Sequence, residues 1–315
     1  MSKNFGGSKS KFLSVLGAVG IALPLVGLSI QPAVALPVPI FDDYPAAAPN
    51  YPSLGYEATG TSEFGDLVQF GGTDRTLKDI TVSFSSWACE AGGWQAACQT
   101  TPGSGYQHPI KVTFYQVNTG TNPPTPGTVL GSITDSVTVP FRPSADGVNC
   151  TGGNSGKWYD TATASCVSGL AFDWTFDFSA LNITLPSQVI VGIAFDTEHY
   201  GYNPLGVDGP YDSLNVSARA VAPPTVGTND DTTVYLNSAT NSSYNDNGVG
   251  GINVFRADSG WDGYNPIFRI NAERPELANT GLNNAELNVW AVFGGAILLL
   301  GIGLLVGLSR LRRRA

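Results

Sequence analysis

The chain has 315 residues, with 16 lysines and arginines against 25 aspartates and glutamates, a net charge of −9. The imbalance is larger in residues 36–280, which hold nine basic and 24 acidic side chains. An acidic surface repels phosphate backbones, which excludes a nucleic acid as the expected partner. The G-x-S-x-G, H-E-x-x-H and P-loop motifs do not occur in the sequence, and we therefore expect no enzymatic activity.

The first 35 residues have the order of a secretory signal peptide. Three lysines precede an apolar run over residues 12–30, and Ala33-Val34-Ala35 then gives a small-x-small cleavage pattern with Ala33 and Ala35 as its small residues. We expect cleavage after Ala35, so that the mature chain begins at Leu36. The alternative is a retained membrane anchor, which Pro24 within the run and the A-x-A pattern disfavour.

Residues 36–55 contain five prolines. Proline disfavours both helices and central strands, so this segment is predicted to be an extended arm or linker. The folded body is predicted to begin at Tyr56.

Residues 56–272 show the period of two that is typical of β-strands. In residues 171–179, Phe172, Trp174, Phe176 and Phe178 alternate with polar side chains, which predicts one buried and one solvated face. Residues 188–195 are apolar on both faces and predict a covered, central strand. Further strands are predicted at residues 77–87, 110–114, 132–141, 213–220, 232–238 and 266–272.

These strands predict an all-β fold, with about nine to eleven strands in one jelly-roll-like two-sheet sandwich. Two tandem immunoglobulin-like modules are the alternative, although no internal repeat supports them.

The four cysteines are Cys89, Cys98, Cys150 and Cys166. Export permits disulfides, and four cysteines allow three pairings. We favour Cys89–Cys98 and Cys150–Cys166, because short loops bring those thiols together with little search. A zinc site is the alternative, but the chain has no C-x-x-C motif and only two histidines.

The C-terminal region carries three features in a fixed order. Residues 277–281 read Leu277-Ala278-Asn279-Thr280-Gly281, residues 289–308 are almost wholly apolar, and four arginines lie among the last six residues. The apolar stretch is long enough to cross a bilayer, and the arginines are expected to stay in the cytoplasm. We therefore assign residues 273–281 to a linker and motif, and 282–315 to a transmembrane helix and basic tail.

This tail resembles the cell-wall sorting signal of Gram-positive surface proteins, in the LAxTG variant of the LPxTG motif typical of actinobacteria. The resemblance implies that a sortase attacks the carbonyl of Thr280, that Gly281 leaves with the tail, and that peptidoglycan accepts the acyl group. Leu277 and Ala278 would fill the specificity groove of the enzyme. The alternative is a single-pass membrane protein in which the pentapeptide occurs by chance.

The body also resembles a family of secreted, wall-anchored actinobacterial β-sandwich domains, in segments similar to residues 53–66, 141–153 and 209–216. That resemblance implies fold and location only. Four residues, 273–276, separate the last predicted strand from Leu277, a reach of about 15 Å. We therefore expect a domain held close to the wall, as part of a coat or lattice.

Aromatic and acidic side chains in the loops are candidates for a binding site for a glycan or another surface protein, because sugar faces stack on aromatic rings. The candidate residues are Trp94, Trp158, Tyr200, Tyr202, Asp208, Tyr211, Asp212 and Trp261. The alternative is that these aromatics hold long loops against the sheets.

Three weaker hypotheses concern chemistry. Calcium could bind oxygens of residues 229–231, or of Asp208 and Asp212, although EF-hand spacing is absent. An exported hydrolase would need His108, His199 or a carboxylate pair such as Asp173 and Asp177, or Asp196 and Glu198. A Lys–Asn isopeptide bond would need Lys78, Lys111 or Lys157. The leading interpretation is a structural or interaction protein of the cell envelope, followed by a carbohydrate-binding module and then by a hydrolase.

Overall fold

The computed structural model describes residues 36–45, 50–93, 98–196, 213–220, 222–239, 248–261 and 263–274. The strands are β1 (Leu36–Asp42), β2 (Ser53–Gly55), β3 (Thr61–Gln69), β4 (Thr76–Ser86), β5 (Gly105–Asn118), β6 (Thr125–Pro140), β7 (Trp158–Asp160), β8 (Ser165–Val167), β9 (Leu170–Asp177), β10 (Gln188–Ala194), β11 (Leu214–Ala220), β12 (Thr228–Ser238), β13 (Arg256–Asp258), β14 (Tyr264–Pro266) and β15 (Phe268–Arg274). The helical elements are α1 (Tyr56–Thr59) and two short 3₁₀ turns, Gly152–Asn154 and Ser179–Leu181. None of these helices is long and apolar enough to span a membrane, and the predicted signal peptide and transmembrane helix lie outside the described ranges.

The fold is all-β, with two large antiparallel sheets. Sheet 1 has seven strands in the order β1-β15-β4-β11-β14, with β2 added to β11 and β9 added to the other edge of β4. Sheet 2 has six strands in the order β13-β12-β3-β10-β5-β6, and β7 and β8 form a separate hairpin. The two sheets pack face to face as a sandwich.

One hydrophobic core fills the space between the sheets. Sheet 1 contributes the alternate residues of β4, of which Ile80, Val82 and Phe84 are fully buried. Sheet 2 contributes Val112 and Phe114 from β5, among others. Edge-to-face contacts such as Phe114–Phe178, with ring centroids 5.1 Å apart, join the two layers.

The two clearest strand predictions are confirmed. In β9 and the residue after it, Phe176 and Phe178 are fully buried, while Asp173 and Asp177 on the opposite face are exposed. The strand β10 lies between β3 and β5, and its residues 189–193 are buried on both faces.

The prediction that residues 36–55 form an arm outside the folded body is wrong for residues 36–42 and 53–55. Residues 53–55 form β2, which pairs with β11. Residues 36–42 form β1, an edge strand that pairs with β15 and buries Ile40 and Phe41 at 1% and 0% exposure. Pro37 and Pro39 are compatible with this strand because the edge of a sheet needs a hydrogen-bonding ladder on one side only. Proline content alone excluded a central strand and not an edge strand.

Charged side chains hold the end of β1 in place. The carboxylate of Asp43, which is fully buried, lies 2.6 Å from Nη1 of Arg219 on β11. The same nitrogen donates to the main-chain oxygen of Asp43 at 2.9 Å. Asp42 pairs with Arg269 on β15 at 2.9 Å, and the Arg269 guanidinium stacks over the ring of Tyr44. The start of the described chain is therefore locked to two other strands of sheet 1.

The strand directions define two opposite ends of the sandwich. Leu36 pairs with Arg274, and Glu273 pairs with Thr76 at the start of β4, so both ends of the described chain meet there. We call this the terminal end. The opposite end lies beyond Ser86, the last residue of β4, ten residues further along the strand. At about 3.3 Å per residue, the two ends are separated by about 33 Å.

Candidate functional site

Two disulfide bonds close the loops at the end opposite the terminal end, and we call it the disulfide end. Cys89–Cys98 and Cys150–Cys166 have Cα separations of 5.6 and 5.7 Å. The predicted pairing is confirmed. The first disulfide lies in the connection from β4 to β5. The second lies in the connection from β6 to β9, where it joins Cys150, before β7, to Cys166 within β8.

A buried arginine joins the two disulfide loops. The side chain of Arg142, directly after β6, is 0% exposed. Its Nη1 donates to the main-chain oxygen of Gly156 at 3.0 Å, and its Nη2 donates to that of Gly93 at 3.3 Å. Gly93 belongs to the Cys89–Cys98 loop and Gly156 to the Cys150–Cys166 loop. One guanidinium therefore fixes the position of each loop relative to the other, and its charge makes both hydrogen bonds strong.

Further main-chain bonds stiffen the same region. The amide of Ala145 donates to the carbonyl of Cys98 at 3.0 Å, and the amide of Asp146 donates to that of Lys157 at 2.9 Å. The Asp146 carboxylate accepts from the side chain and amide of Asn149 and from the amide of Val148, which lowers its pKa below the ordinary value. These bonds fix the described parts of the two loops relative to each other, which suits binding because little ordering entropy is lost on contact.

Trp158, predicted as a candidate ligand residue, does not present its ring to solvent. It is only 8% exposed, and its indole N–H donates to the carbonyl of Gly169 at 3.0 Å. A Cβ on Gly169 would lie 2.4 Å from Oγ of Ser85 and 2.7 Å from the indole nitrogen of Trp87, so only glycine allows this close packing. At this position the structure favours the alternative interpretation, in which the aromatic ring holds the loop against the sheet.

A polar cleft opens beside the first disulfide. It has a volume of about 530 Å³ and is lined by Glu90, Ala91, Gln99, Thr100, Thr101 and Ser144. The carboxylate of Glu90 accepts from the amide of Thr101 at 2.5 Å and from Ser104 Oγ at 3.1 Å, and these bonds lower its pKa. The walls of the cleft offer hydroxyl, amide and carboxylate groups, which can hydrogen-bond a polar partner.

Of the remaining candidate residues, only Trp261 lies within the described ranges. Trp261 is half-buried against the core, with its ring 6.3 Å from Phe64 and 5.6 Å from Tyr264. Trp94, Tyr200, Tyr202, Asp208, Tyr211 and Asp212 lie outside the described residues, as do Ala33, Ala35 and the motif Leu277, Ala278, Asn279, Thr280 and Gly281. The structure therefore neither assembles nor separates the predicted ligand set, apart from the two packed tryptophans.

Sequence reasoning missed a buried acid on the outer face of sheet 2. Glu63 is 9% exposed, and its Oε1 accepts from the hydroxyl of Tyr115 at 2.8 Å. Its carboxylate lies over Gly192, where an added Cβ would be 2.1 Å from Oε1. Burial raises the pKa of Glu63, while the Tyr115 hydrogen bond and the charge of Lys111 oppose the shift. The glycine in an otherwise apolar strand was the only sequence signal for this site.

We predict opposite pH dependences for two glutamate-to-glutamine variants. The folded pKa of Glu63 is raised, so the folded protein binds its proton more tightly, and the free energy of unfolding falls as pH rises from about 4.5 through the folded pKa. The Glu63→Gln variant does not lose this stability. The melting temperature of the variant minus that of the wild type should therefore increase as pH rises. Thermal unfolding over a pH series measures this difference.

Glu90→Gln is the matched control with the opposite sign. The pKa of Glu90 is lowered, so its contribution to stability is present above the ordinary pKa and is lost as pH falls. The Glu90→Gln variant should be less stable than wild type at neutral pH and equal to it in acid. If the melting temperatures of the two variants, each taken relative to wild type, change with pH in the same direction, the raised pKa of Glu63 and the lowered pKa of Glu90 cannot both be correct.

The structure corrects or constrains the other predicted chemistry. His108, one of the histidines that a hydrolase would need, lies within β5 and is half-buried, with its ring 5.9 Å from that of Phe195. Lys78 has two carboxylates beside it, Asp177 and Glu273, each 3.8 Å away, instead of an asparagine amide. Within the described ranges, no group of three or more His, Cys, Asp or Glu side chains could hold a metal ion. Asp208, Asp212 and the side chains of residues 230 and 231 lie outside what is described.

No family model, curated protein or solved structure matches the chain, so no comparison links it to an enzyme family or to any other known group.

Proposed function

We propose that the protein is a sortase-anchored cell-surface protein with a structural or interaction role in the bacterial envelope. The order of sequence signals carries the proposal: a signal peptide, a β-domain, the motif at 277–281, an apolar span at 289–308 and terminal arginines. The apolar span would hold the chain at the membrane beside the sortase, and the arginines would stop its release before cleavage. The partners would be the sortase and, after transfer, peptidoglycan.

Two features of the described domain agree with this proposal. Its four cysteines form two disulfides, as expected in an oxidising compartment. Its last strand runs to Arg274, so only Pro275 and Glu276 precede Leu277. The tether, meaning the residues between the last strand and Leu277, is therefore shorter than the four residues predicted from the sequence.

The finer assignment of the sandwich as a jelly roll is also part of the proposal. The chain passes from one sheet to the other between β2 and β3, β3 and β4, β4 and β5, β6 and β9, β9 and β10, β10 and β11, β11 and β12, and β13 and β14. Each large sheet combines strands from the first and the last parts of the chain, such as β1 beside β15, whereas two tandem immunoglobulin-like modules would each have their own pair of sheets. The carbohydrate-binding alternative gains no such support, because Trp158 and Trp261 are both packed against the protein.

Substitution within the motif tests the proposed anchoring. Thr280→Ala removes the residue whose carbonyl the sortase would attack, and we expect the variant to stay in the membrane fraction of the producing bacterium. Wild-type protein should instead be released from purified walls by muramidase. The readout is an immunoblot of wall, membrane and medium fractions.

Asn279→Gln is the matched control. The third position of the motif varies among proteins that this tail resembles, so this variant should be anchored like the wild type. Muramidase release of Thr280→Ala at the wild-type level would contradict the proposal. Loss of anchoring in both variants would point to misfolding of the precursor, which the amount of protein in each fraction reveals.

A further inference from the structure

We propose that the anchored protein presents its disulfide end to the exterior and keeps its terminal end against the peptidoglycan. This inference rests on the proposed function, because it takes Thr280 as the point of attachment. It identifies the surface of the domain that is available to external partners.

The first step is the position of the tether. β15 ends at Arg274, next to the start of β4, and a salt bridge from Arg274 to Asp74 at 2.8 Å fixes that position. Thr280 follows six residues later in the sequence. Fully extended, six residues reach about 20 Å, so the attachment point lies within that distance of the terminal end.

The second step compares this reach with the length of the domain. β4 carries the chain about 33 Å from the terminal end to Ser86, and Cys89 lies beyond it. A tether of about 20 Å is shorter than this span, so Thr280 cannot reach the disulfide end. The domain can tilt on its tether, but its terminal end stays within about 20 Å of the attachment point, and the disulfide end is free to extend away from it.

The third step concerns what the distal surface offers. The disulfide end carries the polar cleft beside Glu90 and loops fixed by two disulfides and by the buried Arg142. A surface lined by hydroxyl, amide and carboxylate groups favours hydrogen-bonded contacts over apolar burial. Partners outside the wall would therefore meet these polar groups on the described part of the disulfide end.

The three lysines of the described domain lie at three different positions along its length. Lys78 lies near the start of β4 at the terminal end, where it pairs with Glu273. Lys111 lies within β5, opposite Ala194 of β10, between the two ends. Lys157 lies at the disulfide end, where its carbonyl accepts from the amide of Asp146. Residues 36–274 thus carry one lysine near each end of the domain and one between the two ends.

Amine labelling of intact cells tests the orientation. The probe is an N-hydroxysuccinimide ester attached to a polymer too large to enter the wall, and tryptic peptides report the label on each lysine. The labelled fraction of each lysine on intact cells is divided by the labelled fraction of the same lysine in the muramidase-released protein. This ratio corrects for differences in local reactivity. We expect Lys157 to keep its labelling, and Lys78 to lose roughly an order of magnitude because its end is tethered within about 20 Å of the wall peptide.

Two added lysines provide matched variants. Val148 is 86% exposed at the disulfide end, and Ser187 is exposed just before β10 at the terminal end. Val148→Lys should gain a label on cells, while Ser187→Lys should gain one only after release. Equal or reversed labelling of protein that is present in the muramidase fraction would overturn the orientation alone. Absence from that fraction would overturn the anchoring and the orientation together.

Discussion

Asp43→Ala should destabilise the domain by about 3–5 kcal/mol, because it leaves the charge of Arg219 buried without its carboxylate. The Arg219 side chain is only 13% exposed, and its partner Asp43 is 1% exposed, so water cannot replace the lost interaction. The pair joins the end of β1 to β11, and its loss should also release the edge strand. Urea unfolding, with tryptophan fluorescence as the signal, measures the change.

Two further variants show whether burial causes this effect. Arg274→Ala breaks the pair with Asp74, in which Arg274 is 59% exposed, and should cost less than about 1 kcal/mol. The double variant Asp43→Leu with Arg219→Met should recover most of the lost stability, because buried ion pairs are often replaceable by apolar side chains. A loss below about 1 kcal/mol for Asp43→Ala would show that the pair is hydrated in solution.

Arg142→Ala should cost about 3 kcal/mol or more and should loosen the disulfide end specifically. The part-buried carbonyls of Gly93 and Gly156 would each lose a hydrogen bond from a charged donor, at about 1.5–3 kcal/mol for each bond, and a cavity would remain where the buried side chain was. Hydrogen exchange should rise in the two disulfide loops more than in β10. Arg142→Lys should be intermediate, because one ammonium cannot match the two-pronged geometry of the guanidinium.

Arg75 supplies the control for Arg142. It also donates to main-chain carbonyls, those of Gly71, Gly72 and Asp74, but it is only half-buried at the turn before β4. Arg75→Ala should therefore cost little, since water can replace the lost bonds. If the Arg75 and Arg142 variants lose equal stability, or if exchange rises uniformly in the Arg142 variant, Arg142 does not join the loops as described.

Strands with regular alternation were predictable from the sequence. The alternation of apolar and polar residues in β9 and the unbroken apolar run in β10 match the burial that the structure shows, because successive side chains of a strand point to opposite faces. The strand β3 was missed because Asp66 takes the register position between Phe64 and Val68 and is itself fully buried. A carboxylate on the core side breaks the alternation of apolar and polar residues. In the structure the Asp66 carboxylate accepts hydrogen bonds from the amide of Leu67 and from the side chain of Asn229.

The interactions that fix the loops and termini were not predictable. Asp43 and Arg219 are separated by 176 residues, and neither residue type indicates its partner. Arg142 binds main-chain carbonyls, which every residue has and which therefore leave no signal in the sequence. The disulfide pairing was predictable, since sequence separations of 9 and 16 residues favour local closure. The burial of Trp158 was not predictable, because it depends on the conformation of the loop that Arg142 holds.

The most direct test of the proposed anchoring is the mass of the protein that muramidase releases from purified walls. We predict a chain that begins at Leu36 and ends at Thr280, with Thr280 joined to a fragment of wall peptide and both disulfides formed. A released or membrane-bound species that still carries the residues after Gly281, including the terminal arginines, would contradict the account.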